Sequence, residues 1–322
     1  MMMNSLKIAF IVNGAKKKAN ATMKEIRHVF SGYSIDIFLT RFSGHAIALA
    51  ASAVSGGAQV IVSVGGDGTL NEVLNGFLQG CENTLPLRRQ DLFLGIVAMG
   101  TGNDFVRNLE NKATLPELKR CIDAKLYQKT DIGMAEFTAP DSTPGVRYFL
   151  NIADIGIGGV IAEKISRYSR RLGATVTYQS AIFSAFMTYS PQPISVQTDT
   201  EQVRSNMMGL VIANGKHFGN GLGIAPFGEI NDGFFDVVML KNITLFDYLL
   251  QMNNVKKCKP IRHPEVSYSK TQSLTAQSLS APLPIDMDGE FIGYTPVHFS
   301  VLPLWINILT AGERLVERRA VI

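Results

Sequence analysis

The run Val64-Gly65-Gly66-Asp67-Gly68-Thr69-Leu70-Asn71-Glu72 joins an apolar stretch, Gln59 to Val64, to a helical pattern over Thr69 to Leu78. Three glycines allow a tight turn and a close approach of the backbone to a ligand. A helix beginning there offers unpaired N–H groups at the positive end of its dipole, which suits phosphate. Asp67 stands where a metal–phosphate complex needs an oxygen ligand. The plainer alternative is an ordinary strand-to-helix turn with an aspartate in it. The run does not end in G-K-[ST] and is not G-x-G-x-x-G, so neither the Walker A loop nor the dinucleotide fingerprint applies.

Gly100-Thr101-Gly102-Asn103-Asp104-Phe105 repeats the design immediately after a second apolar run, Phe93 to Ala98. Thr101 can donate to a phosphate oxygen, and Asn103 or Asp104 can cap the next helix. Two such loops from neighbouring parallel strands face one crevice. Three further segments carry weaker signals. Asp286-Met287-Asp288-Gly289-Glu290 contains a common hairpin turn, Asp288-Gly289. Gly228-Glu229-Ile230-Asn231-Asp232-Gly233-Phe234 is either a hairpin loop or a turn whose carbonyls and one aspartate hold a hard cation. Thr40-Arg41-Phe42-Ser43-Gly44-His45-Ala46 leads a strand into a helix, and His45 reads more readily as a cap than as a nucleotide contact. No G-x-S-x-G or H-E-x-x-H occurs, which removes a nucleophile elbow and a zincin.

The elements that position these loops alternate in the first third. Strands are expected at Leu6–Val12, Tyr33–Leu39, Gln59–Val64 and Phe93–Ala98, with helices at His45–Val54 and Thr69–Leu78. Leu70, Val73, Leu74 and Phe77 mark one helix face. Alternating β and α elements imply a parallel sheet whose ligands sit beyond the carboxyl ends of its strands. After about residue 125 strand-like runs dominate: 126–137, 147–154, 193–198, 205–213, 234–241, 264–269, 272–279 and 296–303. Two helical patterns, 158–171 and roughly 175–189, interrupt them. The second part therefore reads as a mostly antiparallel β domain, with 305–322 free to return to the first.

Composition sets the outer bounds. At 322 residues the chain has room for about two domains. Net charge of +4 is too small to name nucleic acid as a partner. Three distant cysteines, Cys81, Cys121 and Cys258, form no C-x-x-C and fit a reducing cytoplasm. The longest uncharged stretch, Leu172 to Thr198, is too polar to span a membrane. Basic residues gather at Lys16–Lys18, at Lys164, Arg167, Arg170 and Arg171, and at Lys256, Lys257, Lys259 and Arg262. Each group is a solvated surface or an attraction to anionic lipid. Phe183, Phe186 and Met187 are core residues or acyl-chain contacts.

G-G-D-G-T at 65–69, G-T-G-N-D-F at 100–105, N-D-G-F-F-D-V-V at 231–238 and D-G-E at 288–290 come in an order that resembles diacylglycerol kinase catalytic domains. The match is closest to bacterial soluble lipid kinases, which are also related to sphingosine and ceramide kinases. The resemblance implies the two-domain fold of NAD kinases and diacylglycerol kinases. An α/β nucleotide-binding domain would take residues 1–127 with 305–322, and a β-sandwich lipid-substrate domain 128–304, with ATP between them. It implies that Asn13, Thr40, Thr101, Asn103, Asp104 and the run Gly65, Gly66, Asp67, Gly68, Thr69, Leu70 and Asn71 contact ATP. By the same resemblance Glu290 is the base that takes a lipid hydroxyl proton, and Asp67 helps hold the catalytic Mg2+. Asp232, with the carbonyls of Glu229 and Phe234, is the implied structural Mg2+ site.

Two segments depart from the pattern. Asn13-Gly14-Ala15-Lys16 replaces the usual N-P-x-x-G, and the segment 226–233 lacks two carboxylates, which weakens the expected structural metal site. The expected activity is transfer of the ATP γ-phosphate to a lipid hydroxyl, diacylglycerol first. The expected setting is the inner membrane face, as a peripheral protein with no nucleic-acid partner, either monomer or homodimer. Another lipid alcohol, a soluble substrate such as NAD, and a non-catalytic nucleotide- or lipid-binding protein are the alternatives.

Overall fold

Buried apolar runs become the central strands, because a strand covered on both faces has no polar side to present. A computed structural model of the chain describes residues 6–83, 91–109, 112–167, 184–185 and 188–311. Its contacts divide it into two units, with boundaries between Thr130 and Asp131 and between Pro303 and Leu304.

In the first unit, β1 (Lys7–Val12), β2 (Ser34–Leu39), β3 (Val60–Gly65) and β4 (Phe93–Ala98) form a parallel sheet in the order β2-β1-β3-β4. β3 is buried along its whole length. At the β4 edge, Asn307 and Ile308 pair in parallel with Phe93 and Leu94. The connecting helices are α1 (Ala19–Val29), α2 (His45–Ser55), α3 (Asp67–Asn83) and α4 (Leu115–Ala124). α2 packs on α3, and α1 contacts α4. The α2–α3 crossing is close because a side chain at Gly76 would strike the Ile47 carbonyl. The α1–α4 face buries Phe10, Ile26, Phe30, Val62, Leu118 and Cys121. The strand order reverses direction between β1 and β3, the usual place for a ligand in such a sheet.

The second unit holds two antiparallel layers. β5 (Gln128–Thr138) runs into it and pairs with β6 (Pro144–Phe149). Then come β7 (Ile152–Gly156), α5 (Ile157–Arg167), β8 (Gln192–Thr198), β9 (Gln202–Met207), β10 (Gly209–Ala213), β11 (Phe235–Leu240), α6 (Leu245–Lys256), β12 (Val266–Thr271), β13 (Ser273–Ser278), β14 (Pro284–Met287) and the long β15 (Glu290–Ile308). One layer follows the order β12-β11-β10-β7-β14-β15, and β9-β8-β13 continues from β15 into the other. A β-sandwich results, with Phe149, Ile155, Val196, Ile212, Phe235, Leu274, Ile285, Val297 and Phe299 in its core.

Several expected elements need correction. The single strand expected at 147–154 is two, β6 and β7, broken at Leu150 and Asn151. The run 205–213 is likewise split at Met208 into β9 and β10. α1, α4 and α6 appear where no helix was expected. Most of the helical pattern at 175–189, with Phe183, Phe186 and Met187, lies outside the described residues, as do Arg170, Arg171 and 312–322.

Candidate active site

Three loops meet at the carboxyl ends of the first unit's strands. After β1, Asn13 Nδ2 donates to Thr69 Oγ1 at 2.8 Å, and the Gly14 N–H donates to Thr40 Oγ1 at 3.1 Å. A Cβ at Gly14 would collide with the Thr40 carbonyl, so only glycine fits. The β3–α3 turn and the loop after β4 touch backbone to backbone. The Met99 N–H donates to the Gly65 carbonyl at 2.6 Å, and a Cβ on Gly100 would lie 2.5 Å from Gly66 Cα. Asn103 closes its own loop: its Oδ1 accepts from the Gly100 N–H at 2.9 Å, and its Nδ2 donates to the Gly100 carbonyl at 3.1 Å. The strained backbone of Asn103, φ 49°, supports that closure. Asn13, Thr40, Gly65, Gly66, Asp67, Thr69, Asn103 and Asp104 therefore form one constellation. Thr101 is exposed on its rim, whereas Leu70 and Asn71 are buried.

Asp67, the first residue of α3, accepts through Oδ1 from the N–H groups of Asp104 at 2.8 Å and Phe105 at 3.3 Å. Burial first, and the neighbouring Asp104 carboxylate second, push the Asp67 carboxyl above the usual carboxylate range. Arg107 Nε lies 3.5 Å from Asp104 Oδ1. Two carboxylates crowded beside phosphate-sized backbone donors suit a divalent cation, whose remaining ligands would be phosphate and water oxygens.

Glu72 was not foreseen as part of this neighbourhood. Its carboxylate accepts from the Gly44 N–H at 2.8 Å and the Ala46 N–H at 3.1 Å, capping α2 from a different helix. The only sequence signal was an acid one turn into a helix. His45 instead accepts at Nδ1 from the Arg41 N–H and stacks on Phe42.

In the second unit, Asp288 and Gly289 form a two-residue turn with φ of 51° and 87° between β14 and β15. Asp288 accepts from the N–H groups of Leu150, Asn151 and Ile152 at 3.1–3.2 Å. That clamp holds the break between β6 and β7, which is why the expected 147–154 strand is two. Glu290 follows the turn, and its Oε2 accepts from Arg147 Nη2 at 2.6 Å. Beneath it Asp154, which is buried, and Asp286, which is half-buried, face each other across β7 and β14 with a hydrogen bond between their carboxyls. Burial raises both, Asp154 to about 7 and Asp286 well above the usual carboxylate range, which favours a proton on the pair.

The implied structural metal site is already engaged. Asp232 Oδ1 accepts from the Phe234 N–H at 3.0 Å, and its Oδ2 accepts from Lys270 Nζ at 2.5 Å. Lys270 also lies 3.6 Å from Asp236 Oδ2. Among the described residues no group of three or more His, Cys, Asp or Glu could hold a metal ion. In the 229–234 turn the Lys270 ammonium takes up the Asp232 carboxylate that the implied cation would need.

Comparison with known proteins fits both halves of the chain. Residues 7–135 match the model of the diacylglycerol kinase catalytic domain, and residues 151–310 match the YegS C-terminal NAD kinase beta sandwich-like domain. The chain belongs to the diacylglycerol kinase-like lipid kinases. It is a kinase, and membership of this family implies use of ATP. A diacylglycerol kinase of Staphylococcus carnosus is 27% identical over 88% of this chain and 87% of its own. A relative from Chromohalobacter salexigens, provisionally named a YegS-like lipid kinase, is 25% identical over 87% of this chain and 85% of its own. Among solved structures, a provisionally named diacylglycerol kinase from Bacillus anthracis str. Sterne superposes with a TM-score of 0.72 at 19% identity, covering 95% of this chain and 98% of that one. Yeast NADH kinase superposes with a TM-score of 0.54 at 11% identity, covering 95% and 83%. At those identities the structures speak for the fold alone, and the fold is that of this kinase family. Among the described residues, no helix is long and apolar enough to cross a membrane.

Proposed function

We propose that this lipid kinase transfers the γ-phosphate of ATP to the free hydroxyl of diacylglycerol, giving phosphatidic acid and ADP. The observation that carries the reading is the backbone contact of Gly66 with Gly100, which holds two glycine loops and the α3 N-terminus together around Asp67 and Asp104. Backbone N–H groups of the Gly65–Gly68 turn receive the phosphates, as helix N-termini receive anions generally. Asn13 braces that turn through its hydrogen bond to Thr69, Thr40 braces the loop after β1 by accepting from the Gly14 N–H, and Thr101 donates its exposed hydroxyl from the rim. Asn103 fixes the second loop. Leu70 and Asn71 contribute by packing, since both side chains are buried.

Asp67 and Asp104 would hold Mg2+, which supplies neutralisation of the charge on the phosphates when bound. Glu290 takes the proton of the lipid hydroxyl as the new P–O bond forms to the γ-phosphorus and the bond to the bridging β–γ oxygen breaks. The proton then passes to water and ADP leaves. Arg147 directs the Glu290 carboxylate through their hydrogen bond. An alcohol is a poor nucleophile at neutral pH, so a positioned carboxylate accounts for about 10²–10⁴ of the rate. Diacylglycerol is the substrate class named for relatives from Staphylococcus carnosus and Bacillus subtilis, and its hydroxyl is met at a bilayer surface.

The test is transfer of labelled γ-phosphate, with Mg2+, to diacylglycerol, monoacylglycerol, sphingosine, ceramide and a polyprenol in mixed micelles, with NAD as the soluble control. Label on diacylglycerol that disappears in Glu290→Gln supports the reading. Label on another lipid keeps the kinase and changes its substrate. Label on NAD alone overturns it.

A further inference from the structure

α6 is turned inside out for a helix of a water-soluble domain. Its start is well made: Thr244 and Asp247 exchange side-chain and backbone hydrogen bonds in a capping box. Its inner side is thin. Val255 is its buried residue, and Tyr248, Gln251 and Met252, at the matching helical spacing, are half-buried. The opposite face carries Phe246, Leu249 and Leu250 at i, i+3 and i+4, exposed by 68%, 60% and 62%. Exposed Asn253 and Lys257 continue that face at i+7 and i+11, and exposed Lys256 flanks it. Just beyond the helix, Lys259 and Arg262 are exposed as well. Between Lys241 and Arg262 the chain has five basic residues and one acid, Asp247. That acid is occupied by the cap and by His263, whose Nε2 lies 3.6 Å from Asp247 Oδ1.

Single exposed apolar residues are ordinary, but three large ones side by side on one helix face are a mark of something that covers them. The charge around them selects the cover. We infer that the outer face of α6 is the surface by which the protein docks on an anionic lipid bilayer. Phe246, Leu249 and Leu250 enter the boundary between headgroups and acyl chains. Lys256, Lys257, Lys259 and Arg262 lie against the headgroup phosphates. A helix with an apolar face and a basic margin binds in the plane of a membrane in this way, more strongly as the lipid becomes more anionic. The lipid-kinase reading supplies the need, since the diacylglycerol hydroxyl is presented at a bilayer, and the inference rests on that reading for its purpose but not for its geometry.

The experiment is co-sedimentation of the full chain with vesicles of phosphatidylglycerol mixed with phosphatidylcholine, and of phosphatidylcholine alone. The variants are F246S/L249S/L250S and K256E/K257E. Wild type is expected to partition to the anionic vesicles about tenfold or more above the neutral ones, and each variant to lose most of that preference. Kinase activity on a short-chain, water-dispersed diacylglycerol serves as control and is expected to stay within about twofold in both variants, because the changes touch only solvent-facing positions. Variants that bind vesicles as well as wild type overturn the inference. So does a wild type that binds neither vesicle, or a dimer at sedimentation equilibrium that the serine variant dissociates, which would make the face a contact between copies. If wild type phosphorylates no lipid, short-chain or bilayer, the function proposed above fails while the partition result still stands for or against the surface.

Discussion

Arg147 Nη2 donates to Glu290 Oε2 at 2.6 Å, tying β6 to the first residue of β15. Both side chains are mostly covered, at 22% and 30% exposure, so the pair acts as a directed hydrogen bond more than as a screened surface ion pair. Arg147→Met should leave the carboxylate present but undirected. Turnover on diacylglycerol is expected to fall about tenfold, against a loss of about 10²–10⁴ for Glu290→Gln. ATP affinity, measured by calorimetry, should be unchanged in both. A variant that lost ATP binding would place Glu290 on the nucleotide instead.

The Gly66–Gly100 contact predicts a position-specific glycine effect. Gly100→Ala puts a methyl 2.5 Å from Gly66 Cα, closer than packed carbons approach. The two loops must then part, and ATP affinity should fall about tenfold or more as the phosphate donors lose their geometry. Gly57→Ala is the control. Gly57 has φ 83° with nothing near its missing Cβ, so alanine there should cost about 1–2 kcal/mol of stability and leave ATP affinity alone.

Much of this was legible in the chain because the signals were local. β3 and β4 read as apolar runs, and the turns after them read as glycine loops with Asp67 and Asn103 in place. What could not be read depends on partners far along the sequence. Asp288 breaks β6 from β7 by gripping backbone 138 residues away. Glu72 caps α2 from α3. α6 is hard to read because apolar residues lie on both its faces, Tyr248, Met252 and Val255 inward and Phe246, Leu249 and Leu250 outward, so no single periodic stripe marks it. α1 follows a lysine cluster and has no side-chain cap at its start.

Lys270 is a further case of distance hiding chemistry, and it yields a metal prediction. β11 and β12 set Asp236 and Lys270 directly opposite each other, which delivers the ammonium to Asp232 and Asp236. Mg2+ without nucleotide should therefore leave the wild-type Tm unchanged. Lys270→Met strands Asp236, which is 4% exposed, and should cost about 1–3 kcal/mol, tempered because the lysine itself is 41% exposed. Added Mg2+ should then recover part of the lost Tm. Stabilisation by Mg2+ alone that survives Asp67→Asn would mean that the 229–234 turn takes a cation beside the lysine.

The Asp154–Asp286 pair makes stability depend on pH in a definite direction. Desolvation lifts Asp154 to about 7 in the folded state, against about 3.9 in an unfolded chain. Asp286 is lifted well above the usual carboxylate range by burial and by the negative charges of Asp154, Asp288 and Glu290. Tyr189 stands close by with its own hydroxyl unpartnered. Below about pH 4 both states carry the protons, and the pair's contribution is fully present. Between there and the raised folded values only the folded state keeps them, so stability falls as pH rises. Asp154→Asn removes one ionisable group while its amide can still accept from the Gly159 N–H and donate to Asp286. Thermal unfolding at about pH 5 and about pH 8 should show the variant gaining on wild type as the pH rises. Parallel pH profiles for the two proteins would mean that Asp154 is ionised in the folded state throughout, and that the pair shares no proton.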